Sequence, residues 1–99
     1  MTTIQILYWH TIPIQVRAMA GRNRQTLALS ARFMEAVDAA AMSARLTDSD
    51  AYSDLFRWGE PIEKEGDPAE LAQQTAAELE ATWQTIDWKR VADQLKTKD

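Results

Sequence analysis

The stretch from Ile4 to Met42 leaves this chain little choice of fold. Ile4-Gln5-Ile6-Leu7-Tyr8-Trp9-His10 alternates with a period of two and is apolar on much of both faces, which predicts a strand inside a sheet. Pro13 cannot donate to a ladder, so Thr11-Ile12-Pro13 reads as a turn or a bulged edge. A second strand starts at Ile14, with Ile14, Val16 and Ala18 on one face and Gln15, Arg17 and Met19 on the other. Ala20-Gly21-Arg22-Asn23 has the residues that tolerate a tight hairpin turn, and a third strand runs from Arg24 or Gln25 to about Leu29. From Ser30, a good N-cap, to Leu46 the pattern changes to a helix. Phe33, Ala36, Val37, Ala40, Ala41 and Ala44 recur at the spacing of one buried stripe. The alanines let that helix sit close against a sheet, with Phe33, Met34 and Met42 as its bulky contacts.

Thr47 and Asp50 have capping-box spacing, and a shorter helix is expected from Asp48 to Trp58, with Tyr52, Leu55 and Phe56 on one face. Gly59 suits a C-terminal cap, Pro61 blocks continuation, and Trp58 is expected in the core. Ile62 to Gly66 is acidic and without periodicity, and reads as a linker in preference to a short added edge strand. Asp67-Pro68-Ala69-Glu70 places a cap, a first-turn proline and an acid in sequence. Leu71, Thr75, Leu79, Trp83 and Ile86 follow at near-helical spacing, and Asp87 caps a last helix lined by Trp88, Val91 and Leu95. The expected architecture is α+β: a three-stranded antiparallel β-meander covered on one face by helices, with a C-terminal helical arm. Residues 1–62 form the sheet-plus-helix core module of a single domain. Residues 63–99 supply an acidic linker and C-terminal helices that pack on the module or extend from it.

At 99 residues a chain buries roughly 60% of its unfolded surface, enough for one core. The absence of cysteine excludes a disulfide framework, a thiolate nucleophile and a thiolate metal site. No signal-peptide pattern and no spanning apolar run is visible, so a soluble, cytoplasmic protein is expected. The net charge of −4 is unevenly placed. Residues 1–46 hold five arginines against Glu35 and Asp38, and all the remaining acids follow. Such asymmetry fits a partner contact or a basic sheet edge packed near acidic helices.

Little here announces catalysis. His10 is the sole histidine, and an acid-base or metal role needs a carboxylate such as Asp38, Glu35 or Asp50 brought to it by the fold. Phosphate loops, nucleophile elbows and metal motifs are missing, so neither an enzyme nor a cofactor is expected. Arg17, Arg22 and Arg24 cluster around the hairpin beside Tyr8 and Trp9, the ingredients of a sheet that binds single-stranded nucleic acid. Trp9, Trp58, Trp83 and Trp88 serve cores and interfaces equally well. Trp83 and Trp88, on amphipathic helices after the linker, are the expected anchors for a protein partner or for self-association.

Tyr8-Trp9, Ile12-Pro13, Gln15-Val16, Gly21-Arg22, Arg32-Phe33, Ala36-Val37-Asp38, Ala40-Ala41-Met42 and Trp58 together resemble a small bacterial family described as "virulence factor". The likeness is carried by residues 4–61 and only loosely by the C-terminal helices. It implies a stand-alone accessory domain and brings no active-site residues with it. It also suggests an association with enzymes of folate one-carbon metabolism. The expected function is therefore a small non-catalytic protein-protein interaction domain. The alternatives are single-stranded nucleic-acid binding through the arginine and aromatic sheet surface, and an accessory subunit of a one-carbon enzyme.

Overall fold

The computed structural model of the chain describes residues 1–46 and 49–96. Thr47, on which the capping box with Asp50 depends, lies outside them. The elements in order are β1 (Thr2–Trp9), β2 (Ile12–Ala20), β3 (Asn23–Ala28), α1 (Ala31–Ser43), α2 (Ser49–Ser53), β4 (Phe56–Trp58), β5 (Ile62–Lys64), α3 (Pro68–Thr82) and α4 (Trp88–Lys96). The first three strands form the expected antiparallel meander. Each hairpin closes through a two-residue loop, His10-Thr11 and Gly21-Arg22. Gly21 has φ 60° and His10 has φ 55°, so in both loops the first central residue alone has a positive φ, as in a type II′ turn. Histidine is among the few non-glycine residues enriched there.

Pro13 lies inside β2 rather than in the connection. It faces Tyr8 where the β1–β2 register shifts between Leu7 and Tyr8, and the resulting bulge around Ile14 spares it a ladder hydrogen bond. Before the bulge the faces follow from the register. Ile4, Ile6, Val16 and Ala18 share one face, and Gln5, Leu7, Gln15 and Arg17 share the other. Beyond it, Trp9 pairs with Ile12, and both are fully buried. The Trp9 indole N–H donates to the Tyr52 carbonyl at 3.0 Å, and the Tyr52 ring packs edge-on against Phe56.

The sheet has five strands, not three, in the order β3-β2-β1-β4, with β5 also on β1. The expected helix from Asp48 to Trp58 stops at Ser53, and Phe56 to Trp58 pairs with Trp9 to Leu7. The segment read as a linker returns to the same edge, Ile62 to Lys64 pairing with Ile4 to Thr2. Gly59 joins these two short strands instead of capping a helix: its N–H reaches the Ile6 carbonyl at 2.8 Å. A Cβ there would meet the Tyr8 ring at 2.9 Å, so the close approach requires glycine.

The main cover of the sheet is α3, which lies over β2 and β3, while α1 touches β2 and packs against α4. The C-terminal helices are thus docked on the core. Asp67 caps α3 by accepting from the N–H groups of Ala69 and Glu70, and Asp87 accepts from the Arg90 N–H. In α1 the predicted stripe of Phe33, Ala36, Val37, Ala40 and Ala41 is buried. Met34 and Met42 point outward, 38% and 80% exposed, because they fall off that stripe.

Ser30 stands at the N-cap of α1, but its side chain makes no capping bond. Glu80 of α3 takes over instead, accepting from the Ser30 N–H at 2.7 Å and from its hydroxyl at 2.9 Å. In return Arg32 of α1 pairs with the Glu80 carboxylate at 3.0 Å. It also donates to the carbonyls of Glu80 and Trp83, where α3 ends. One acid closes the start of α1 and one arginine closes the end of α3. The hydrogen bonds from Ser30, assisted by Arg32, lower the Glu80 pKa.

Because the folded Glu80 pKa is depressed, its contribution is fully present above the unfolded value, about 4.3 for a free glutamate side chain. It is lost as pH falls through the folded value. Glu80→Gln is expected to melt below wild type at neutral pH, and the gap in Tm should narrow as pH is taken down through the carboxylate range. At the first hairpin, His10→Val should cost about 1–2 kcal/mol in urea unfolding, since a β-branched residue resists positive φ. His10→Gly should cost less than His10→Val.

Candidate functional site

Direct pairing places Thr3, Gln5 and Leu7 of β1 on one face with Met19, Arg17 and Gln15 of β2. It extends that face to Arg24, Thr26 and Ala28 of β3 and to Trp58 of β4. None of these residues is buried. The helix α3 lies on the opposite face, where Thr75, Leu79 and Thr82 line a cleft of about 190 Å³ with Ile4, Ile6 and Ile62.

At the centre of the open face the Arg17 guanidinium stacks on the Trp58 ring, 3.8 Å from its centroid. Arg17 also donates to Gln5 Oε1, and Gln5 donates onward to the Gly59 carbonyl at 3.3 Å. Among the described residues the Arg17 Nε is buried and has no hydrogen-bond partner, so the stack rather than a full set of hydrogen bonds holds this cation. Such a contact is worth about 0.5–1 kcal/mol at an exposed site. Trp58 is 36% exposed. It was expected in a core and instead forms a platform, because β4 sets it on the outer face opposite Leu7.

Of the three arginines singled out from sequence, Arg17 and Arg24 share this face, while Arg22 sits in the Gly21-Arg22 loop at its rim. The aromatic that joins them is Trp58 and not Trp9, which is buried, nor Tyr8, whose ring lies by Arg57 and Gly59. The signal that could have found Trp58 is the spacing Phe56-Arg57-Trp58, which alternates like a strand but is too short to stand out.

Trp83 and Trp88 are half-buried against the core. They border two separate clefts at the α3–α4 link. Trp88 lines a shallow one of about 370 Å³ with Arg32, Glu35 and Ile86. Trp83 lines another of about 310 Å³ with Thr11, Arg90 and Val91. The large exposed apolar residues are Met1, Leu27, Met34, Met42, Trp58 and Ile62, all outside these helices.

His10 meets the Gln94 side chain, Nε2 to Oε1 at 3.1 Å, and its position follows from the hairpin loop. Asp38 acts on Tyr52, whose phenol pKa is raised by burial and then by that carboxylate. The described residues contain no group of three or more His, Cys, Asp or Glu side chains able to hold a metal ion. Nor does any described helix have the length and apolarity to cross a membrane.

No curated protein and no solved structure matches the chain. A family profile does, over residues 7–92, so the likeness extends beyond residues 4–61 through α3 and into α4. With most of the sheet, the Arg32–Glu80 closure, all of α3 and the first half of α4 inside that span, the chain belongs to the family described as Virulence factor.

Proposed function

We propose that this chain is a non-catalytic binding domain that engages a protein partner through the open face of its sheet. The observation that carries this reading is the Arg17–Trp58 stack on the sheet face opposite α3, where Trp58 stays 36% exposed. Tryptophan and arginine are the residues that most often dominate binding energy, and they do so best when held rigid before contact. Arg17 is held by Trp58 and Gln5, and Gln5 by Gly59, so little side-chain freedom remains to be lost. Arg17 and Arg24 favour a partner surface that combines apolar contact with acidic groups. An enzyme of folate one-carbon metabolism is one candidate for that partner.

A single-stranded nucleic acid is the second reading, supported by the presence of Arg17, Arg24 and Trp58 on one open sheet face. The net charge of −4 weighs against it.

Affinity capture with wild type, Trp58→Ala and Arg17→Ala tests the proposal. A specifically retained protein should bind each variant about tenfold or more weakly, and Gln74→Ala, on the exposed side of α3, should bind like wild type. Retention unchanged by both sheet-face substitutions would sink it. Binding of single-stranded RNA or DNA at low salt, with a salt dependence flattened by Arg17→Ala, would favour the second reading instead.

A further inference from the structure

Among the described residues nothing pairs with the outer edge of β3. The direction of its backbone groups follows from the ladder on its inner side. The Leu29 N–H donates to the Ile14 carbonyl at 3.0 Å, and the hairpin loop closes on the pair Ala20 and Asn23. In an antiparallel ladder Asn23, Gln25 and Leu27 therefore spend their N–H and C=O groups on β2. Those of Arg24, Thr26 and Ala28 turn outward, and the side chains of all three are exposed.

The two edges of this sheet are not alike. On the β1 side the edge is split by Gly59-Glu60-Pro61 into two strands of three residues, and short strands with a proline break resist further pairing. The β3 edge runs through six residues with no proline, lysine or bulge.

We propose that β3 pairs antiparallel with β3 of a second copy of this chain, about a twofold axis at Thr26. In that register Thr26 faces Thr26 of the second copy, Arg24 faces its Ala28, and Gln25 faces its Leu27. No like charges meet. Leu27, 36% exposed, gains cover, and the outward backbone groups of Arg24, Thr26 and Ala28 all find partners. The interface is isologous, the form that closed dimers take.

The helix layer fits the same axis. Glu80 binds Ser30, just beyond β3, whereas Thr75, Leu79 and Thr82 lie on the β1 side of α3. Gln73 and Ala77 precede Glu80 by two turns and one, so they form the flank of α3 above the β3 edge. Both are exposed and uncharged. Strands about 4.8 Å apart set two copies of α3, each above its own β2–β3 seam, roughly 10 Å apart, which is helix-packing distance. The contact then joins a strand ladder to a helix pair, where a bare pair of strands is marginal.

Sedimentation equilibrium and a single engineered thiol test the assignment. Wild type should sediment as a dimer of the 11.2 kDa chain. Thr26→Lys sets like charges on the axis and should raise the dimer Kd about tenfold or more. Thr26→Pro removes an outward N–H that the monomer does not use, and should give a monomer with an unchanged far-UV spectrum. If Thr26→Pro fails to fold, Thr26→Lys alone decides. The chain has no cysteine, so oxidised Thr26→Cys should yield a cross-linked dimer, and Gln74→Cys should not. A wild type that stays monomeric overturns the proposal, as does a dimer whose Kd ignores Thr26→Lys. Trp58→Ala lies at the other edge and should leave the dimer intact, which separates this result from the partner reading above.

Discussion

The placing of the helix layer depends on the exchange between Arg32 and Glu80. Two helix ends would otherwise leave backbone groups without partners, the N–H groups at the start of α1 and the carbonyls at the end of α3. Each is closed by a side chain from the other helix. Neither closure exists unless both helices are in place, so the exchange couples a helix near residue 30 to one near residue 80. The pair is partly exposed, and as a simple ion pair it would be worth little. Its importance is geometric: it fixes where α3 stops, and therefore where the α3–α4 link turns and where α4 meets α1.

The three-stranded meander was legible in the sequence because β1 and β2 are long enough for a period of two to register, and because Gly21 marks its turn. The capping of α3 was equally legible in Asp67-Pro68. What escaped was anything set at long range. Strands β4 and β5 have three residues each, too few to show a period, and only the pairing with β1 makes them strands. Pro13 pointed to a longer connection, but a register shift admits it to β2. Ser30 was recognisable as a cap position, though not that a glutamate fifty residues later would occupy its donors.

The candidate site was legible by residue type and not by constellation. Arg17 and Arg24 were visible as a cluster, but their aromatic partner was sought in the adjacent Tyr8-Trp9. Trp9 is fully buried under Tyr52 of α2, and Trp58 arrives from β4. The tryptophans of the C-terminal helices were read as interface anchors because an acidic stretch seemed to free those helices. That stretch instead supplies β5, the helices dock, and Trp83 and Trp88 stand half-buried against the core, each lining a cleft.

The broken edge formed by β4 and β5 bears on how far this sheet can grow. A strand with two open sides can be extended without end, which is the geometry of filaments. Here Gly59 and Pro61 divide one side into pieces too short to template a neighbour, leaving a single side available. Addition there can happen only once, since two copies joined through it expose nothing but their broken sides. In the proposed dimer the same interruption that let Gly59 fit beneath Tyr8 would act as a terminator, closing this small α+β domain to open-ended strand addition.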